Sequence, residues 1–139
     1  MRAFVWILGT FLISFSLKAQ QLDLSISAIK KQKGEILIAV FNKADGFPFD
    51  TQKAYKLLKG APVDGKLNLQ VSSLPKGRYA IALFHDTNGD GILNVNFMGI
   101  PKEGYGVSNN AYNTFSAPKY NDASFDYNQS SVLKITMKY

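Results

Sequence analysis

The chain has no cysteine and a single histidine. Without cysteine there is no disulfide framework, no thiol nucleophile and no Fe–S ligand set, so stability has to come from packing, with a metal as the one available supplement. With only His85 to work with, a Ser-His-Asp relay would need a serine brought from far along the chain, Ser72, Ser108 or Ser116, and no G-x-S-x-G elbow presents one. A carboxylate pair such as Asp86 with Glu103 is the remaining hydrolytic option, and a cation explains those carboxylates better. Internal repeats, low-complexity tracts and a linker to a second domain are also missing. The formal charge of +6 comes from scattered lysines, and only "IKKQK" clusters. That excludes the dense, arginine-rich stripe a nucleic-acid surface requires and reads as solvated strand faces and guarded sheet edges.

What is present begins with "MRAFVWILGTFLISFSLKAQ". Arg2 precedes an apolar run from Ala3 to Leu17, and small or polar residues gather around Ala19. This is the layout of a secretory signal peptide, residues 1–19, cleaved after Ala19. The run falls short of the ~20 apolar residues of a membrane span, and an uncleaved anchor is the competing reading. Export places the protein in the periplasm or outside the cell, with membrane contact only through that segment if it stays attached. Loss of Arg2 and Lys18 lowers the formal charge from +6 to +4. Residues 20–139 are the usual size of one domain and suffice for a single core.

Two-residue periodicity dominates this domain. "QLDLSISAI" sets Leu22, Leu24, Ile26 and Ala28 against Asp23, Ser25 and Ser27, a half-buried strand. "EILIAVFN" is apolar on both faces and predicts a central strand covered on both sides. "KADGFPFD" reads as a loop, and "TQKAYKLLKG" suits either a short helix or a short strand. "GKLNLQVSSLPKGRYAIALFHD" predicts two antiparallel strands joined tightly at "LPKG". "DASFDYNQ" and "SVLKITMKY" supply two more. The expected fold is all-β, a single antiparallel sandwich of about seven strands.

At this point the residues carry a family likeness. "LPKGRYAIALFHDTNGDGILN", continuing through "NFMGIPKEGYGVSNNA", resembles the exported bacterial domain-of-unknown-function family 2141 over most of the chain after the leader. "LPKGRYAIAL" alone resembles a wider set of transthyretin-like and immunoglobulin-like modules. The resemblance implies a sandwich of that kind in a periplasmic or surface setting, and it implies no established activity.

Two constellations carry chemistry. In "HDTNGDGILNVN", Asp86, Asn88 and Asp90 fall at positions 1, 3 and 5 of a calcium loop, Gly91 at the sharp turn, the Ile92 carbonyl at 7 and Asn94 at 9. The bidentate Glu of position 12 is replaced by Phe97, and a strand, not a helix, leads in. Glu103, Asp122 or Asp126 could complete the shell from elsewhere. The competing reading of "DTNGDG" is a bare turn. The second constellation is the long irregular segment 99–113, "GIPKEGYGVSNNAYN", in which Tyr105, Tyr112, Asn109 and Asn110, with Glu103, suit a sugar or peptide ligand. Its alternative is that the same polar groups pin the loop to the domain. The function expected is a noncatalytic exported binding or structural module of the cell envelope, with Ca²⁺ as its ion and an envelope protein or glycan, not nucleic acid, as its partner. A carbohydrate- or peptide-binding domain using residues 99–113 is the alternative, and a small hydrolase comes third.

Overall fold

The computed structural model describes residues 20–139, so the expected leader lies outside the described residues. Strand β1, Leu22–Ser27, buries Leu22, Leu24 and Ile26 and leaves the intervening residues half-covered, as its alternation predicts. It ends where Ala28 takes a φ of 60°, which swings Ile29 into the core. Strand β2, Glu35–Phe41, is covered on both faces. Ile36, Ile38 and Val40 enter the main core, while Phe41 on the opposite face meets Phe47 edge-on at 5.3 Å. The ambiguous stretch 51–60 contains both candidates: a 3-10 turn at Thr51–Lys53, then β3, Lys56–Gly60.

The remaining strands are β4, Leu67–Val71; β5, Gly77–Asp86; β6, Tyr105–Val107; β7, Phe125–Tyr127; and β8, Ser131–Thr136. One short helix, α1, spans Tyr120–Ala123. The fold is all-β as expected, but the single antiparallel sandwich of about seven strands needs correction. Eight strands among the described residues form a three-stranded sheet, β4-β1-β8, and a five-stranded sheet, β3-β2-β5-β6 with β7 also on β5. Within the smaller sheet β1 and β8 run parallel, Leu24 opposite Leu133. Periodicity gives the faces of a strand and not its direction, so the parallel pair is invisible to it. The extra strand, β6, is three residues with Gly106 at its centre, too short to show alternation. That glycine is required, since a Cβ there would lie 2.7 Å from the Leu83 side chain and 2.9 Å from that of Ile135, where the two sheets close on each other.

A second correction concerns β4 and β5, which are not partners. β4 pairs with β1, whereas β5 pairs with β2, so "LPKG" carries the chain from one sheet to the other. The apolar faces of both sheets share one core, in which Leu22, Leu24 and Ile135 of the first meet Ile36, Ile38 and Ile81 of the second. The crossing is held by Tyr79, whose hydroxyl donates back to the Pro75 carbonyl at 2.8 Å. This is how a Gly-x-Tyr step can anchor the entry to a buried strand. Tyr127, equally buried in the core, has a hydroxyl with no hydrogen-bond partner among the described residues.

The two phenols predict opposite outcomes for the same substitution. Tyr79→Phe should lower unfolding stability by about 1 kcal/mol, because a made hydrogen bond is lost. Tyr127→Phe should leave stability unchanged or raise it, because removing an unpaired buried hydroxyl costs nothing. Urea denaturation of both variants beside the parent checks the pair.

Candidate functional site

Strand β5 sets the site. Its last two residues, His85 and Asp86, are buried opposite Ile36 and Glu35 of β2. His85 is fully buried, with Nε2 2.7 Å from the Lys33 carbonyl and Nδ1 2.9 Å from the Tyr139 hydroxyl. Of the two neutral tautomers the Nε2–H form fits, donating to Lys33 and accepting from Tyr139. Both ring nitrogens are thus spent on fastening the β1–β2 turn and the end of the chain to β5. Gly34 completes the closure at a φ of 85°, where a Cβ would stand 2.1 Å from the Asp86 carbonyl oxygen.

The chain leaves β5 through the expected loop, and its side chains converge. Asp86 accepts the Gly89 N–H on Oδ1 at 2.8 Å and the Gly91 N–H on Oδ2 at 2.9 Å. Asp90 accepts the Ile92 N–H at 2.9 Å, and its other oxygen faces the amide nitrogens of Asn88 and Asn94, each at 2.9 Å. Asn88 also donates to Asn94 Oδ1 at 3.1 Å. The Asn94 amide, then the Ile92 N–H, holds the Asp90 carboxyl below its ordinary range. Asp86, Asn88, Asp90 and Asn94 are therefore brought together. Ile92 contributes its N–H to the same turn and leaves its side chain exposed.

Glu103, expected in a cation's shell or on a ligand, is engaged by donors of the loop itself. Its carboxylate is buried and accepts the Thr87 N–H at 3.1 Å, the Thr87 hydroxyl at 3.2 Å and the Asn94 N–H at 3.2 Å. It clasps the two ends of the 87–94 loop from below. Asp122 and Asp126 lie elsewhere, on α1 and on β7, where Asp126 meets Arg78. Among the described residues no three His, Cys, Asp or Glu side chains gather closely enough to hold a metal. A cation in the loop would rest on the carboxylates of Asp86 and Asp90 plus neutral oxygens, a hard donor set of the calcium type but a thin one. The set has room for it. Each Asp86 oxygen carries one hydrogen bond and keeps lone-pair capacity, and turning the Asn94 amide over exchanges Nδ2 for Oδ1 beside Asp90 without breaking a backbone bond.

Segment 99–113 is more ordered than its composition suggests, since it contains β6 and a 3-10 turn at Ser108–Asn110. Asn109 donates to the Asp122 and Ser124 carbonyls, Asn110 Oδ1 accepts the Thr136 N–H, and the Tyr112 hydroxyl donates to the Thr136 carbonyl. Tyr105 and Tyr112 stack edge to face at 5.6 Å, with the Lys138 ammonium 5.3 Å from the Tyr112 ring centre. Asn109 thus ties the segment to α1, and Asn110 and Tyr112 tie it to β8. Sequence reasoning missed Thr87, the partner of Glu103, and Asn96, whose side chain accepts the Met98 and Ile100 N–H groups at 2.9 and 3.0 Å. Asn96 three residues before Gly99 was the available signal.

Fold and site together define an all-β domain with a carboxylate-braced loop at one end of its larger sheet. Residues 24–135 match the family described as an uncharacterized protein conserved in bacteria (DUF2141), and the chain belongs to that family. No curated protein and no solved structure matches it.

Two outcomes follow. Glu103→Ala leaves three donors without their acceptor and should cost about 1–3 kcal/mol. Amide exchange should accelerate at Thr87 and Asn94 while the core strands stay protected. Burial pushes the Tyr112 phenol up from its ordinary 10 to about 12. Its folded pKa lies above the unfolded one, so its contribution is intact below pH 10 and is lost as pH climbs toward 12. Unfolding measured across that window should show a shallower alkaline loss in Tyr112→Phe than in the parent.

Proposed function

We propose that the protein is a noncatalytic exported module of the cell envelope, transthyretin-like or immunoglobulin-like in its two-sheet build, whose 86–94 loop is stabilised by Ca²⁺. The observation that carries the reading is the convergence of Asp86, Asn88, Asp90 and Asn94 on one turn, with both amides facing the Asp90 carboxylate. Asp86 and Asp90 would supply the charge, with the Ile92 carbonyl and the Asn88 and Asn94 side-chain oxygens as neutral ligands. A noncatalytic role is supported by how the chemistry-bearing groups are spent. His85 has both nitrogens engaged out of solvent, and the Glu103 carboxylate is committed to holding backbone and hydroxyl donors. The same reasoning favours this reading over a sugar- or peptide-binding use of residues 99–113, where Asn109, Asn110 and Tyr112 are committed to the fold.

Two carboxylates without a bidentate partner place the affinity at the weak, extracellular end, about 0.1 to 1 mM. A ligand bound only by the folded state at a tenfold excess over Kd stabilises it by about 1.4 kcal/mol. Melting temperature should therefore rise in millimolar Ca²⁺ relative to chelator. Asp90→Ala should remove that rise while the domain still folds, because Asp90 is exposed and outside the core. Equal melting curves with and without Ca²⁺, together with no binding heat, would reduce "DTNGDG" to a turn.

A further inference from the structure

Beyond the cation loop the chain runs out into a narrow finger before it returns to Glu103. Lys102 N–H donates to the Asn94 carbonyl at 2.8 Å, Val95 bridges Pro101 in antiparallel fashion, and Asn96 N–H donates to the Ile100 carbonyl at 2.8 Å. The Asn96 side chain then closes the tip on Met98 and Ile100. This backbone-bonded finger carries apolar side chains into solvent: Phe97 is 97% exposed, Met98 65%, Ile100 52% and Val95 49%, with Ile92 beside its root at 65%. A contiguous group of large apolar side chains held outward marks an interaction surface.

The charges around the finger's base say what that surface meets. Lys30, Lys31 and Lys33 lie on the β1–β2 turn, which His85 and Gly34 fasten to the end of β5, where the loop leading to the finger begins. Lys102 is in the finger, and Lys138 pairs through its backbone with Tyr105 just after it. All five are exposed, and none makes a salt bridge among the described residues. Of the carboxylates nearby, Asp86 and Glu103 are buried on backbone donors, Glu35 pairs with Lys59, and Asp90 alone stands exposed in the loop. An apolar tip above a cationic base is complementary to a bilayer, whose acyl region takes the tip and whose anionic headgroups take the lysines.

We propose that residues 95–100 insert into the interfacial layer of an anionic membrane, seated there by Lys30, Lys31, Lys33, Lys102 and Lys138. This adds a membrane contact that the sequence confined to the leader. It does not depend on the calcium loop.

The test uses the exported form of the chain and phosphatidylcholine vesicles with and without phosphatidylglycerol, in chelator so that no cation bridges protein to lipid. Trp6 leaves with residues 1–19, so Phe97→Trp makes the tip the sole indole. Its fluorescence should shift to the blue and be quenched by lipids brominated on the acyl chain, more strongly when phosphatidylglycerol is present. Phe97→Asp combined with Met98→Asp should weaken partition by about tenfold or more. Lys33→Glu combined with Lys102→Glu should weaken it on anionic vesicles alone. The tip is solvent-exposed, so none of these changes touches the core, and the melting curve of each variant verifies folding. Absence of vesicle binding, binding unaffected by the double aspartate variant, or an indole that stays unquenched would overturn the proposal. So would concentration-dependent self-association abolished by Phe97→Asp, which would seat a second copy on the tip instead.

Discussion

Within the larger sheet, β2, β6 and β7 all take their register from β5. It is the longest strand among the described residues, and it is paired to β2 from Ala80 to Asp86 while its other edge is divided between β7 near the start and β6 further along. One face sends Tyr79, Ile81 and Leu83 into the shared core, and the other supports the smaller cluster of Ala80, Val107 and Ala123. A strand so enclosed has no freedom to slip, because a shift of one residue would exchange its two faces. The burial of His85 at its end follows from that register. An imidazole out of water is tolerated only when both nitrogens are paired. Here that requirement draws Lys33 and Tyr139 to the same point. The strand thereby fixes the place where the carboxylate-braced loop starts.

What begins there is a loop in which carboxylates do the work that neighbouring strands do elsewhere. Asp86 and Glu103 between them accept four backbone N–H groups, from Thr87, Gly89, Gly91 and Asn94. Ionised carboxylates are strong acceptors, and they satisfy donors that a glycine-rich turn cannot satisfy by itself. The consequence is preorganisation. Asn88, Asp90 and Asn94 are already gathered, so a cation entering this loop would face little ordering cost. The Asn88 and Asn94 amide nitrogens now beside Asp90 are what it would have to displace.

How much of this the sequence disclosed depends on the range of the interaction. Leu22, Leu24 and Ile26, the two covered faces of β2 and the alternation of β8 were legible because periodicity reports local geometry directly. The loop was legible too, since Asp86, Asn88, Asp90 and Asn94 interact within eight positions of one another. Strand direction, the separation of β4 from β5, and β6 were not, because each depends on contacts across the fold that leave no local pattern. Glu103 shows the same limit in one residue. Its carboxylate could be matched to a metal or a ligand by type, but its actual partners, Thr87 and Asn94, are set by the return path of the finger.

That return path also explains how an apolar tip can stand away from the core without collapsing on it. A loop folds down onto a domain when its backbone needs partners there. The finger supplies its own: Asn94 with Lys102, Val95 with Pro101, and Asn96 with Met98, Gly99 and Ile100. Its polar demands are met internally, so Phe97 and Met98 remain outside despite the favourable burial open to them elsewhere. Asn94 is the joint between finger and loop, with its N–H on Glu103, its carbonyl on Lys102 and its amide on Asp90. Through that one residue the Glu103 clasp, the gathered side chains of the loop and the base of the finger are joined by hydrogen bonds, and the geometry of each constrains the next.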